Sequence, residues 1–367
     1  ALTTGGDNIF IGQDAGDDHD AETNNLGIGK GSLGGAINGG EYNVAIGNAT
    51  LDALTSADEN VAIGYRAGSA LTTGASNVFI GANSAQTGVV TGANNIGIGA
   101  TSTQKLTSGA NNIGIGSNAL QDTTTASNNT ALGYTAGKDV TTGQAQVFIG
   151  SEAGASLTEG GGNIAIGYQA LDAADTENNN LAIGEAALGV CNGGGEFNIA
   201  IGKSSLDALT SGDYNTVLGY NAGGVLTTGV RNVIIGSNAG DSMVEGSSNV
   251  IVGDEALGGG AFTASEAVII GRNAGHDLTS ATGTTLIGFE AGLNQTTGAG
   301  NTVLGHKAVG AGVLTGANNV VIGKLAGFDM TTANANVLIG EDAGANITEG
   351  LANVIVGQGA AEALTTG

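Results

Sequence analysis

The feature that most limits what this chain can fold into is a repeat of 17 residues, in which an Asn, a short apolar run and a Gly return along the whole length. Asn43-Val44-Ala45-Ile46-Gly47, Asn60-Val61-Ala62-Ile63-Gly64, Asn77-Val78-Phe79-Ile80-Gly81 and Asn232-Val233-Ile234-Ile235-Gly236 are copies, and the series counted from Asn8 has 21 starts. Single insertions stretch the spacing to 18 between 25 and 43, 77 and 95, 180 and 198, 249 and 267, and 301 and 319. Such strict phase over so short a period means that each unit is stabilised by stacking on its neighbours.

The unit at 60–76, NVAIGYRAGSALTTGAS, reads as a short strand, a Gly turn, a second extended segment ending in Leu71-Thr72-Thr73-Gly74, and a polar return. It is too short for a pair of helices, and β-branched residues dominate its apolar positions. The expected fold is therefore all-β, a parallel β-solenoid (β-roll) of about 21 coils of 17–18 residues. At roughly 4.8 Å per coil the stack would reach on the order of 100 Å. Residues 1–367 read as one continuous repeat array, and the half-units at either end, Ala1-Leu2-Thr3-Thr4-Gly5 and Leu364-Thr365-Thr366-Gly367, suggest a segment of a longer fibre.

Residues i and i+2 of a strand share a face, so Val61 and Ile63 point one way and Ala62 the other. The reading places Val44, Ile46, Val61, Ile63, Ile199 and Ile201 in the core of the coil, with Ala67, Leu71, Ala222 and Leu226 on the opposite wall. The Gly after each strand is expected to take a positive φ at a corner. The repeated Asn, seen at Asn43, Asn60, Asn77, Asn198, Asn215 and Asn232, is expected to stack as an amide ladder. The middle strand residue is then left outside although it is apolar. It forms a stripe that includes Ile234, Ile251, Ile269, Leu286, Val321 and Leu338, which predicts burial against other copies of the chain. The change along this stripe from Gly and Ala to Val, Ile and Leu predicts copies that approach more closely in the first half of the chain.

Composition narrows the partners. Lys and Arg number 9 against 33 Asp and Glu, for a formal charge of -24, so the chain lacks the basic footprint that nucleic acid or an anionic membrane requires. Cys191, the only cysteine, has no partner for an intramolecular disulfide and no metal-ligand spacing around it. Gly202-Lys203-Ser204 imitates the end of a phosphate-binding loop, but the position of that motif's first Gly holds Phe197. His19, His276 and His306 fall in different coils and read as surface residues. Asp17-Asp18-His19-Asp20 reads as a solvated acidic turn. No catalytic, cofactor-binding or specific metal-binding residues are expected; weak divalent-cation binding that relieves self-repulsion is the one cofactor expectation. Two other solenoid functions compete. Recurrent Thr-Thr pairs, as at 72–73 and 141–142, would suit an ice-binding array, but Asp58, Glu159 and Glu245 interrupt it. A polysaccharide-acting enzyme needs a carboxylate cluster with aromatic subsites, and aromatics are 4% of the chain.

Asn60-Val61-Ala62-Ile63-Gly64, followed by Tyr65-Arg66-Ala67-Gly68 and Leu71-Thr72-Thr73-Gly74, resembles the head repeats of trimeric autotransporter adhesins, and still more the related repeats of bacteriophage tail-fibre proteins. The resemblance covers essentially the whole chain, although the adhesin head unit is shorter than 17 residues. It implies a left-handed parallel β-roll, three chains around one axis, extracellular or virion exposure, and attachment to a host-surface glycan or protein or to matrix. The expected function is a structural and adhesive fibre shaft, not an enzyme.

Overall fold

A computed structural model describes residues 5–366. The chain divides into two compact units, Ala1–Asn180 and Leu181–Gly367. Each is a parallel β-solenoid with one three-residue strand per coil. The first unit holds ten strands, from β1 (Ile9–Ile11) to β10 (Ile164–Ile166), and the second eleven, from β11 (Leu181–Ile183) to β21 (Val354–Val356). Neighbouring coils pair without slip: Val61 lies opposite Val78, Ala62 opposite Phe79 and Ile63 opposite Ile80. The strand is satisfied in both directions, since Val61 N–H donates to the Asn77 carbonyl and Gly64 N–H to the Ile46 carbonyl, each at 2.8 Å.

The Asn ladder is present, and Asn43, Asn60, Asn77, Asn198, Asn215 and Asn232 are all fully buried. Asn60 Nδ2 donates to Asn43 Oδ1 at 3.1 Å, and the same oxygen accepts the Asn60 backbone N–H at 3.0 Å. Asn77 repeats both bonds onto Asn60. In the second unit Asn198 Oδ1 accepts from Asn215 Nδ2 at 3.1 Å and from the Asn215 backbone N–H at 3.0 Å, and Asn232 repeats the pattern onto Asn215. The amide also closes its own coil, because Asn43 Nδ2 reaches the Ala57 carbonyl at 2.9 Å and Asn198 Nδ2 the Gly212 carbonyl at 2.8 Å. Each of these amides thus bonds both along the stack and within its coil, which is what makes so polar a column tolerable inside a narrow core. Three coils depart from it. Gln146 continues the ladder, accepting from Asn163 Nδ2 at 3.1 Å. Ala267 has no amide to offer. At Thr284 the coil is closed from the other wall instead, where the buried Gln295 donates Nε2 to the Gly298 carbonyl at 2.7 Å.

The assignment of strand faces is the reverse of the sequence expectation. Ile234, Ile251, Ile269, Leu286, Val321 and Leu338 are 0% exposed and form the core, as do Ala45 and Ala62. Val44, Ile46, Val61, Ile63 and Ile201 are only half-buried, and Ile199 is 38% exposed; these are the outward residues. The physical reason is parity: the buried Asn and the middle strand residue are two apart, so they share the inner face. Ala67, Leu71, Ala222 and Leu226 form the far wall of the core as expected, each 0% exposed.

With the middle residue inside, its drift from Ala to Ile reports on packing volume within a coil and not on distance between copies. Six residues further on lies a turn residue that also points inward. Where the strand offers Ala, as at Ala165, Ala182 and Ala200, the turn offers Leu171, Leu188 and Leu206; where it offers Phe148, Ile234 or Leu286, the turn offers Gly154, Gly240 or Gly292. A Cβ placed on Gly292 would stand 2.9 Å from Leu286 Cδ2. In these coils large pairs with small, as close packing favours, whereas Ala62 stands with Gly68, Ala131 with Gly137 and Ile251 with Leu257. The turn leucines accept a left-handed backbone to do so, with φ of 53° at Leu171 and 50° at Leu206.

The corner Gly does take a positive φ, 134° at Gly64 and 133° at Gly81. Stacking adds a second requirement: a Cβ on Gly64 would lie 2.8 Å from both the carbonyl carbon and oxygen of Gly81. Backbone meets backbone at this corner, so no side chain fits.

Candidate functional site

The inversion of the strand faces leaves two outward columns on each unit, made of Val, Ile and Leu except at Thr130, Thr216, Thr285 and Thr302. In the second unit Leu218 is 46% exposed, Leu304 41% and Ile339 36%, far more than a packed solenoid needs to show. Polar and aromatic columns flank this aliphatic face, one formed by the residue before each ladder position and the other by the residue after each corner Gly. All 6 tyrosines of the chain stand on these two flanks and none in the core. Tyr42 and Tyr214 take the first flank; Tyr65, Tyr134, Tyr168 and Tyr220 take the second. On the first, Phe197 and Tyr214 stack at 5.1 Å with Arg231 beyond at 5.9 Å; on the second, Arg272 lies 4.8 Å over Phe289. An aliphatic strip rimmed by tyrosines and arginines has the composition of a protein interface.

The polar clusters are less organised. Gly31 and Gly34 leave a depression in the first unit, lined also by Asp14, Asp17, Asp18, Lys30, Asp52 and Tyr65. Burial pushes the Asp52 carboxyl above its ordinary pKa. Among the described residues no three His, Cys, Asp or Glu side chains are grouped to hold a metal ion. Lys203 is engaged with Glu185 at 3.0 Å.

His19 is a correction to the surface reading. It is 1% exposed and sits in the core position that Leu54 and Leu71 occupy in later coils, edge-on to Phe10 at 4.7 Å. Neither ring nitrogen has a hydrogen-bond partner among the described residues. Burial lowers its pKa against the opposing charges of Glu22 and Asp18. Glu22 itself is buried, which opposes its charge, yet backbone N–H groups of Gly39, Asp20, Glu22 and Ala21 hold its carboxyl below the usual range. His276 is half-buried with Nδ1 2.7 Å from Asp277 Oδ1, and His306 is stacked on Phe289 at 5.1 Å. Cys191 is buried in the core, with Sγ 3.4 Å from the Gly195 carbonyl.

The threonine column has a structural use. Thr107 Oγ1 donates to the Thr124 carbonyl at 2.8 Å, Thr124 to Thr141 at 3.0 Å, and Thr331 to Thr348 at 2.9 Å. These hydroxyl protons run along the stack from coil to coil and are spent on cohesion.

Comparison with protein-family models finds no match to this chain, and comparison with curated proteins finds none.

Proposed function

We propose that this chain is a structural and adhesive fibre shaft that assembles with copies of itself, three around one axis as its resemblance to adhesin heads and phage tail fibres implies. The observation that carries the proposal is the outward aliphatic face, repeated in every coil and rimmed by tyrosines. A monomer exposing a strip of this length would aggregate through it; burial between copies removes that hazard and stiffens the coils at once. The repeats supply length through identical backbone hydrogen bonds, so the mechanism is mechanical and the chain is not an enzyme. The turns away from the aliphatic face are left to meet a host-surface glycan or protein, a role that belongs outside the cell, on a virion or a bacterial surface. In the pairs at 72–73, 141–142, 227–228 and 331–332 the first Thr already donates its hydroxyl between coils, which favours this reading over ice binding.

Light scattering coupled to sedimentation velocity tests the proposal. The expected species has three times the 35.3 kDa chain mass. A monodisperse monomer across the accessible concentration range would overturn it.

A further inference from the structure

The two flanks of the outward face have different residues, and this difference says how copies meet. We infer that the first flank of one copy, the residue before each ladder position, packs against the second flank of the next, the residue after the corner Gly, with equal coils in register. This rests on the self-assembly proposed above.

Closure comes first. Copies arranged in a ring about an axis parallel to their coils cannot be staggered along that axis, because a rise at every contact would accumulate and open the ring into a helix. The residues brought together must therefore belong to the same coil. Within one chain a three-residue strand and a corner Gly stand between the two flanks.

The second unit shows what that juxtaposition pairs. Glu266 meets Arg272, and neither forms an ion pair among the described residues of its own chain. In two coils a Gly on the first flank, Gly283 and Gly300, stands opposite a ring on the second, Phe289 and His306, while a third coil sets Tyr214 opposite Tyr220. No coil in the unit sets like charges opposite one another. A slip of one coil in one direction would instead press Glu266 against Asp254. Eleven strands give this face a height of about 50 Å and, with its flanks, an area of about 1,000 Å². A ring shares that area between two neighbours, so this unit gives each contact about 500 Å², and the ten strands of the first unit carry a like face toward the roughly 800 Å² per partner of a stable interface.

The test is a charge-exchange cycle on the full chain, with oligomer dissociation followed by sedimentation equilibrium and folding by circular dichroism. Glu266→Arg and Arg272→Glu are each expected to weaken assembly by about tenfold or more while leaving the folded signal intact. The doubly exchanged chain is expected to return to within about threefold of the original, because each new Arg meets a new Glu on the neighbouring copy. If the unaltered chain is monomeric, the self-assembly reading itself fails. If it assembles but the single exchanges do not weaken it, or the double exchange fails to restore it, assembly stands and the proposed pairing is wrong.

Discussion

Ile234→Asp is expected to destabilise the second unit strongly, whereas Ile235→Asp, one residue away, is expected to leave its stability nearly unchanged and to abolish assembly. Ile234 is 0% exposed, so the substitution removes a core side chain and buries a carboxylate with no partner, at a cost of about 4 kcal/mol or more. In a unit of this size that lowers the melting temperature by about 10 °C. Ile235 is half-buried and outward, and a carboxylate there keeps its water in the isolated chain, so the expected stability change is within about 1 kcal/mol. Between copies the same carboxylate would be desolvated beside aliphatic side chains, and the oligomer should not form. Thermal melts and sedimentation on the two variants separate these outcomes. The opposite pattern, a stable Ile234→Asp chain and an unfolded Ile235→Asp chain, would put the Val and Ile columns back in the core.

The second large effect concerns the pairing of strand and turn volumes. Leu286→Ala opens a cavity and should cost about 2–5 kcal/mol. Gly292→Leu should cost about 1–3 kcal/mol by overpacking, because the new side chain starts 2.9 Å from Leu286 Cδ2. Together they recreate the arrangement of Ala200 with Leu206, whose turn backbone at φ 50° already carries a Leu. The double variant should recover most of the loss, with a coupling energy of about 2 kcal/mol or more measured in a thermal double-mutant cycle. Additive losses would mean that the two positions do not share one volume.

Much of the fold is legible in the chain. The 17-residue phase implies the solenoid, and the Asn ladder, the corner Gly and the far wall at Ala67 and Leu71 all sit where the pattern puts them. The expectation fails on which strand face is inside. Alternation alone sorts residues into two sets without saying which set is buried, and Val and Ile are the more hydrophobic set. The deciding signal is in the Asn: an amide ladder needs a dry, fully bonded environment, and Asn43 shares its face with Ala45, not with Val44, just as Asn198 shares its face with Ala200 and not with Ile199. The Leu-for-Gly exchange six residues on is a second signal, since only residues that touch need compensate in volume. The burial of His19 cannot be read in the same way, because an Asp-Asp-His-Asp run looks solvated until the register places its His in the Leu position of the coil.

The most direct test of the account is thiol reactivity at three consecutive strand residues. With Cys191 replaced by Ala, single cysteines at Val233, Ile234 and Ile235 would be titrated with a thiol reagent in the native chain and again in the assembly-weakened Glu266→Arg background. The Ile234 position is expected to be unreactive in both, while Val233 and Ile235 are shielded in the assembled protein and become reactive when assembly is weakened. A reactive Ile234 position beside protected neighbours in both backgrounds would contradict it.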